Sequence, residues 1–295
     1  MNIDVSLFTI TTVLLAAALA TVAWMWARLR KRVKAEQQLR EEAEVRERQF
    51  AAEQERNRRL KQEMTNNIAH ELKTPVSSIR GYLEILLGDR PVSEEQRRHF
   101  MERCYSQTLR LSDLINDVAL INKLEEGNDL FTREKVDLCE QAEEAIKELR
   151  LEAENHNITI ENRLEEGMTV DGNGLLVYSI FRNLIENAIV YAGDGCQVGI
   201  ESYKPSDGTH YYLRLYDTGR GVQNEFLPRL FDRFVRIEEG RSRKNGGTGL
   251  GLSIVKHAVL FHGGDIYVKN RDGGGLEFFF SLRRHASEYP YGNNL

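Results

Sequence analysis

The chain has 295 residues, of which 41 % are hydrophobic and 29 % charged, with a formal net charge of −5. That balance is globular, sized for about two domains, and it excludes a disordered chain. The acidic sign gives no electrostatic footing for nucleic acid, and Cys104, Cys139 and Cys196 lack metal-ligand spacing, as expected of reduced thiols.

The first element is an apolar run, Val5–Trp26, "VSLFTITTVLLAAALATVAWMW", about 22 residues without a charge and long enough to cross a bilayer as a helix. Trp24 and Trp26 suit an interfacial belt, and Arg28, Arg30, Lys31, Arg32 and Lys34 follow at once, which predicts a single-pass anchor with its N-terminus outside and the body cytoplasmic. "ALA" at 18–20 resembles a cleavage site, but "MNID" has no basic n-region, so the expectation is an uncleaved anchor in the inner (cytoplasmic) membrane. About four residues would remain outside, which predicts no extracytoplasmic sensor domain.

Residues 27–64 are rich in Arg, Glu, Gln and Ala. A seam at Leu39, Ala43, Arg46, Phe50, Glu53, Asn57, Leu60 and Met64 steps by four and three, the pattern of a coiled coil weakened by polar positions.

Next comes "NIAHELKTPVSSIRGYLEIL", where Ile68, Leu72, Ile79, Leu83 and Leu86 predict a helix with one apolar face. His70 falls about 200° from Ile68 and Leu72, on the wet side. Pro75 deprives the carbonyl of Glu71 of its usual donor and is expected to bend the helix just below His70. "GDRP" at 88–91 breaks the helix, and Ser93 in "SEEQ" starts another. Phe100, Cys104, Leu111, Leu114, Val118, Ile121 and Leu124 mark its apolar stripe, ending near "EEGN" at 125–128. One hairpin cannot bury both stripes, so two should pair into a four-helix bundle, which predicts a homodimer.

After about residue 130 strand-like pieces ("FTREKVDL", "NITIENRL", "CQVGIESY", "HYYLRLYDTG", "GDIYVKN", "GLEFFFSL") alternate with helical ones near 139–154, 174–191 and 249–262. This predicts a separate α/β domain, helices packed on a mixed sheet. No Gly-Lys pair occurs, so a Walker A loop is excluded. In "FRNLIENAIVYA" Asn183 and Asn187 share one helix face, and a neutral amide oxygen suits Mg²⁺ that keeps waters and phosphate oxygens. In "YDTGRGV" the alternation of Tyr211, Leu213 and Leu215 ends in Asp217, a carboxylate able to accept from an exocyclic amine, followed by Gly219 and Gly221. "NGGTGLGLSIVKHAV" feeds a glycine-rich loop into a helix N-terminus, where free amides attract anions. The intervening "FLPRLFDRFVRIEEGRSRKNGG" reads as a lid anchored by Phe231 and Phe234, with Arg233, Arg236, Arg241, Arg243 and Lys244 as cations. Each piece alone also fits a bland origin: capping asparagines, an ordinary turn, a flexible hinge or a solvated basic loop.

In order and spacing these pieces resemble the H, N, G1, F and G2 boxes of the sensor histidine kinases of two-component systems, over roughly residues 65–285. The resemblance implies a Bergerat-type ATP-binding sandwich, shared with DNA gyrase and chaperone ATPases, at 131–285. It implies a dimerisation and histidine phosphotransfer domain at 65–128, and leaves 286–295 as a tail. It also implies that His70 is the phosphoacceptor, Glu71 its base and Thr74 the residue that orients water for dephosphorylating a response regulator. Asn187 would hold Mg²⁺ and Asn183 would lie beside the phosphates of ATP. Asp217 would take the adenine amine, and Gly219, Gly221, Gly247, Gly249 and Gly251 would shape the pocket and lid hinges. Many family members carry Lys or Arg where this chain has Val190, so Arg233 or Arg236 is expected to supply the missing cation. The alternative to an active kinase is a catalytically weak scaffold or a phosphatase-dominant homologue.

Overall fold

The computed structural model describes residues 3–88, 91–127, 130–235 and 247–285, with side chains at 3–18, 20 and several positions between 33 and 60 excepted. Arg236, the rest of the expected lid through 246 and the tail 286–295 lie outside the described residues, as do the side chains of most of the predicted span and of Leu39, Ala43, Asn57 and Leu60. The chain divides into two units, Met1–Asn66 and Asn67–Leu295.

Helix α1 covers Ile3–Leu87. In the first unit Arg28 lies over the ring of Trp24 at 5.1 Å and Arg30 over Trp26 at 3.7 Å. Phe50 is 63 % exposed. Among the described residues no helix is long and apolar enough to cross a membrane.

In the second unit α1 continues helically through Pro75 to Leu87. Helix α2, Glu94–Glu126, begins with the expected capping box: Ser93 Oγ accepts from the amide of Gln96, whose side chain accepts from the amide of Ser93. The two helices pack through Tyr82 stacked on Phe100 at 5.6 Å, and Leu114 and Ile121 are fully covered. Ile68, Leu72, Ile79 and Leu86 are half-buried, but Leu83 departs from the expected stripe and is exposed, along with Val76, Ile85 and Leu87.

The remaining elements are β1 (Glu134–Asp137), α3 (Leu138–Asn155), β2 (Thr159–Arg163), β3 (Thr169–Gly172), α4 (Gly174–Tyr191), β4 (Gln197–Lys204), β5 (His210–Asp217), α5 (Gly251–Phe261), β6 (Ile266–Asn270) and β7 (Leu276–Arg283). β1 and β3 form a small antiparallel pair. The main sheet has the order β2-β4-β5-β7-β6, with β2 and β4 parallel and the other pairs antiparallel, the mixed sheet expected. β3 was not foreseen: four residues are too few to show a period, and the strand exists through its pairing with β1 and a bridge to Arg284. Helices α3, α4 and α5 contribute Leu138, Leu176, Ile180, Phe181, Leu184 and Val255 to the core beneath Ile200, Leu213, Phe278 and Phe280. β5 alternates strictly, so the phase that buries Tyr211, Leu213 and Leu215 also carries Asp217 to the helix side of the sheet.

Candidate functional site

His70 is exposed on α1, as its helical phase predicts. Thr74, one turn on, donates its hydroxyl to the carbonyl of His70 at 3.3 Å. Glu71 points elsewhere: its carboxylate lies 3.6 Å from Arg110 Nη2 on α2, both groups largely covered. Pro75 itself is buried.

In the α/β domain, the N-cap Asn173 starts α4 by accepting from the amide of Leu176, which sets the phase that leaves Asn183 and Asn187 half-buried on one face. Asn183 Nδ2 donates to the carbonyl of Ser179 at 2.8 Å, so its oxygen faces away from its own helix. That oxygen meets the first turn of α5: a Cβ at Gly251 would lie 2.5 Å from it, so a larger residue there would have to displace the Asn183 amide. Asp217, 4 % exposed, accepts from the amide of Gly219 at 2.8 Å and of Leu276 at 3.2 Å. Burial raises its pKa above the usual carboxylate value, and the two amides oppose that shift. Each carboxylate oxygen keeps lone-pair capacity after one bond, so a further donor can be accepted. Gly219 passes against the backbone of Ala192 at the end of α4, where any side chain would collide. Gly221 turns beside Asn270, whose amide accepts from Val222 N at 2.9 Å and donates to Val222 O at 2.7 Å. Asn270 thus holds the glycine turn as a neighbouring strand would. No local signal in the sequence marks that role.

Gly247 lies beside Tyr191, and the carbonyl of Gly249 accepts from the amide of Phe234 at 2.8 Å. Arg233 is turned to the hairpin, where Nη2 donates to Glu125 on α2, and it lies 3.4 Å from His257 Nε2. Thr248 donates to Asp117 Oδ2 at 2.9 Å and accepts from the amide of Leu250. Sequence reasoning singled out neither Thr248 nor its carboxylate partner. The structure therefore brings Asn183 on α4 against Gly251 at the start of α5, sets Asp217 and Gly219 at the end of β5 with Gly219 against the end of α4, and draws Arg233 towards α2. Among the described residues no group of three or more His, Cys, Asp or Glu is placed to hold a metal. A cation here would rest on amide oxygens such as that of Asn187, completed by phosphate oxygens and water, a donor set that suits Mg²⁺.

Two families match along the chain. One, described as the His Kinase A (phospho-acceptor) domain, matches residues 60–127. The other, described as the histidine kinase-, DNA gyrase B- and HSP90-like ATPase, matches residues 172–286. The chain is 33 % identical over 230 residues to the sensor-like histidine kinase SenX3 of Mycolicibacterium smegmatis, covering 78 % of this chain and 58 % of SenX3. It is 30 % identical over 222 residues to the sensor histidine kinase WalK of Bacillus subtilis, covering 75 % of this chain and 36 % of WalK. The chain thus spans less than two thirds of the length of these relatives. The structure of the Acinetobacter baumannii histidine kinase AdeS has a similar fold, with a TM-score of 0.57 at 24 % identity over 73 % of this chain and 98 % of that one. The histidine kinase ThkA, solved in complex with the response regulator protein TrrA, has a TM-score of 0.58 at 22 % identity over 77 % of this chain and 62 % of that one. A phospho-acceptor hairpin followed in one chain by an ATPase domain of this class, with sensor kinases as its relatives, has one assignment: the chain belongs to the sensor histidine kinase family of two-component systems.

Proposed function

We propose that this chain phosphorylates His70 from ATP and passes the phosphoryl group to an aspartate of a response regulator, which it also dephosphorylates. The observation that carries the reading is an exposed histidine on a hairpin that matches a phospho-acceptor domain, followed by a domain that matches an ATPase family. Neutral imidazole is a nucleophile near pH 7. An exposed side chain is reachable by a nucleotide held elsewhere.

Phosphoryl transfer needs mainly positioning and charge neutralisation. Asp217 selects the adenine amine, and Asn183 and the first turn of α5 face the phosphates. Asn187 contributes an amide oxygen to Mg²⁺, which would neutralise phosphate charge. Glu71 orients or deprotonates His70 once it leaves Arg110, and Thr74 positions water against the regulator's acyl phosphate. Arg233 supplies the cation that Val190 does not.

The remaining organisation is part of the same reading. Residues 5–26 form a single membrane span with the N-terminus outside, 27–64 a coiled-coil linker, 65–128 the dimerisation and phosphotransfer domain and 131–285 the catalytic domain. Exposed Trp24 and Trp26 under Arg28 and Arg30 suit an interface, and exposed Phe50 suits a helix partner. Val76, Leu83 and Leu87 on α1 with Met101, Leu109 and Ile115 on α2 leave apolar surface for a second hairpin. The deciding experiment incubates the purified chain with labelled ATP, then acid: label lost in acid and absent from His70→Gln supports the reading. Acid-stable label, or label on His70→Gln, overturns it.

A further inference from the structure

Arg233 and Thr248 lie 15 positions apart in sequence, yet both are held by α2. Phe234 explains how they come together. Its amide donates to the carbonyl of Gly249 at 2.8 Å, and it adopts a left-handed φ of 59°, a conformation that a bulky side chain takes only when its surroundings enforce it. The backbones that carry Arg233 and Thr248 are thereby joined, so their two side-chain contacts act on one body. Their partners, Glu125 and Asp117, are eight residues apart on α2, about 12 Å along the helix.

The first contact uses the guanidinium. Arg233 Nη2 donates to Glu125, with the side chains 24 % and 36 % exposed. Arg233 also meets His257. Its Nδ1 lies 2.8 Å from the carbonyl of Ser253, which can only accept, so Nδ1 carries a proton, and Nε2 faces Arg233. The second contact is the Thr248 hydroxyl on Asp117, while the amide of Leu250, at the start of α5, donates back to Thr248. Arg182 on α4 attracts Asp117 and Asp113 repels it.

We propose that α2 restrains the catalytic domain through this two-point clasp, and that the polyphosphate of the nucleotide competes with Glu125 for Arg233. The inference rests on the kinase reading and deepens it, by naming how the hairpin regulates the nucleotide site. A partly exposed ion pair is weak, so it opens readily. A guanidinium meets phosphate with paired, charge-assisted hydrogen bonds, and a triphosphate carries more charge than one carboxylate. The coupling is reciprocal: a signal that shifts α2 changes nucleotide affinity, and nucleotide binding frees α2 to the same extent.

The test is titration of the full chain in detergent with Mg·ATP. Glu125→Gln is expected to bind about two- to fivefold more tightly than wild type, the range set by one exposed pair. Asp117→Ala, at the other point of the clasp, should shift the same way. Glu126→Gln, the adjacent exposed carboxylate, should bind as wild type does and so exclude a general charge effect. The gain from Glu125→Gln should shrink between about 50 and about 500 mM salt as screening weakens the pair. Unchanged or weaker binding by both Glu125→Gln and Asp117→Ala, or an equal gain from Glu126→Gln, overturns the clasp while wild-type binding leaves the kinase reading standing. Failure of the wild type to bind ATP overturns both.

Discussion

Arg110 holds Glu71 across the hairpin, with Nη2 3.6 Å from Oε2 and both side chains about four-fifths covered. The residue beside the candidate phosphoacceptor is therefore tied to α2. Glu71→Gln should slow autophosphorylation, by about 10²–10⁴-fold for a lost acid–base group. Arg110→Gln leaves the carboxylate in place and removes only its Arg110 contact, so it should slow the reaction less. Initial rates of acid-labile labelling of the two variants check this; equal losses would assign the effect to the ion pair and not to Glu71 as a base.

Thr74 donates its hydroxyl to the backbone carbonyl of His70. Thr74→Ala should keep autophosphorylation within a few-fold and lower the dephosphorylation of the regulator. The measurement is the decay of purified phospho-regulator with each variant plus ADP. Decay at the wild-type rate would remove Thr74 from that step.

Asp217 accepts two backbone amides and keeps room for one more donor. Asp217→Asn should weaken ATP more than GTP, because guanine carries a carbonyl where adenine carries its amine. Competition titrations with both nucleotides decide it, and equal losses would point to collapse of the turn around Gly219.

His262 is fully buried, with Nδ1 donating to the carbonyl of Ala258 at 2.7 Å and Nε2 accepting from the amide of Asn173 at 3.1 Å. Accepting from Asn173 needs the neutral ring, whereas the bond to Ala258 would survive protonation and so opposes the downward shift. Burial is the main cause that pushes its pKa down, to about 4 from 6.5. A depressed folded pKa means the stabilisation is complete above the unfolded value, declines as pH falls below about 6.5 and is gone below about 4, amounting to about 3 kcal/mol at most. Denaturant midpoints of the chain between these pH values should fall with pH, and the slope should flatten in a His262→Gln variant. A slope of the same size in that variant would place the proton uptake elsewhere.

Leu83 and Leu87 are 43 % and 84 % exposed on the hairpin, beside exposed Val76. Leu83→Asp should convert a dimer into a folded monomer, read by sedimentation alongside an unchanged helical circular dichroism signal. A dimer that survives the substitution would move the interface off this face.

Local physics made much of this chain legible from its sequence. The capping box at Ser93, the bounds of α4 at 174–191 and the alternation that ends in Asp217 each depend on neighbours within a few residues, so periodicity and spacing suffice to read them. The wet phase of His70 follows from helix geometry alone. What tertiary packing decided has no such local sign. Asp117 finds Thr248 across 131 positions, Glu125 finds Arg233 across 108 and His262 meets Asn173 across 89. β3 forms because β1 pairs with it, and Glu71 turns to Arg110 because α2 returns alongside α1. A hydrogen bond or ion pair between distant positions depends on how whole elements dock, and docking follows the burial of the summed apolar faces, which no single stretch of sequence displays.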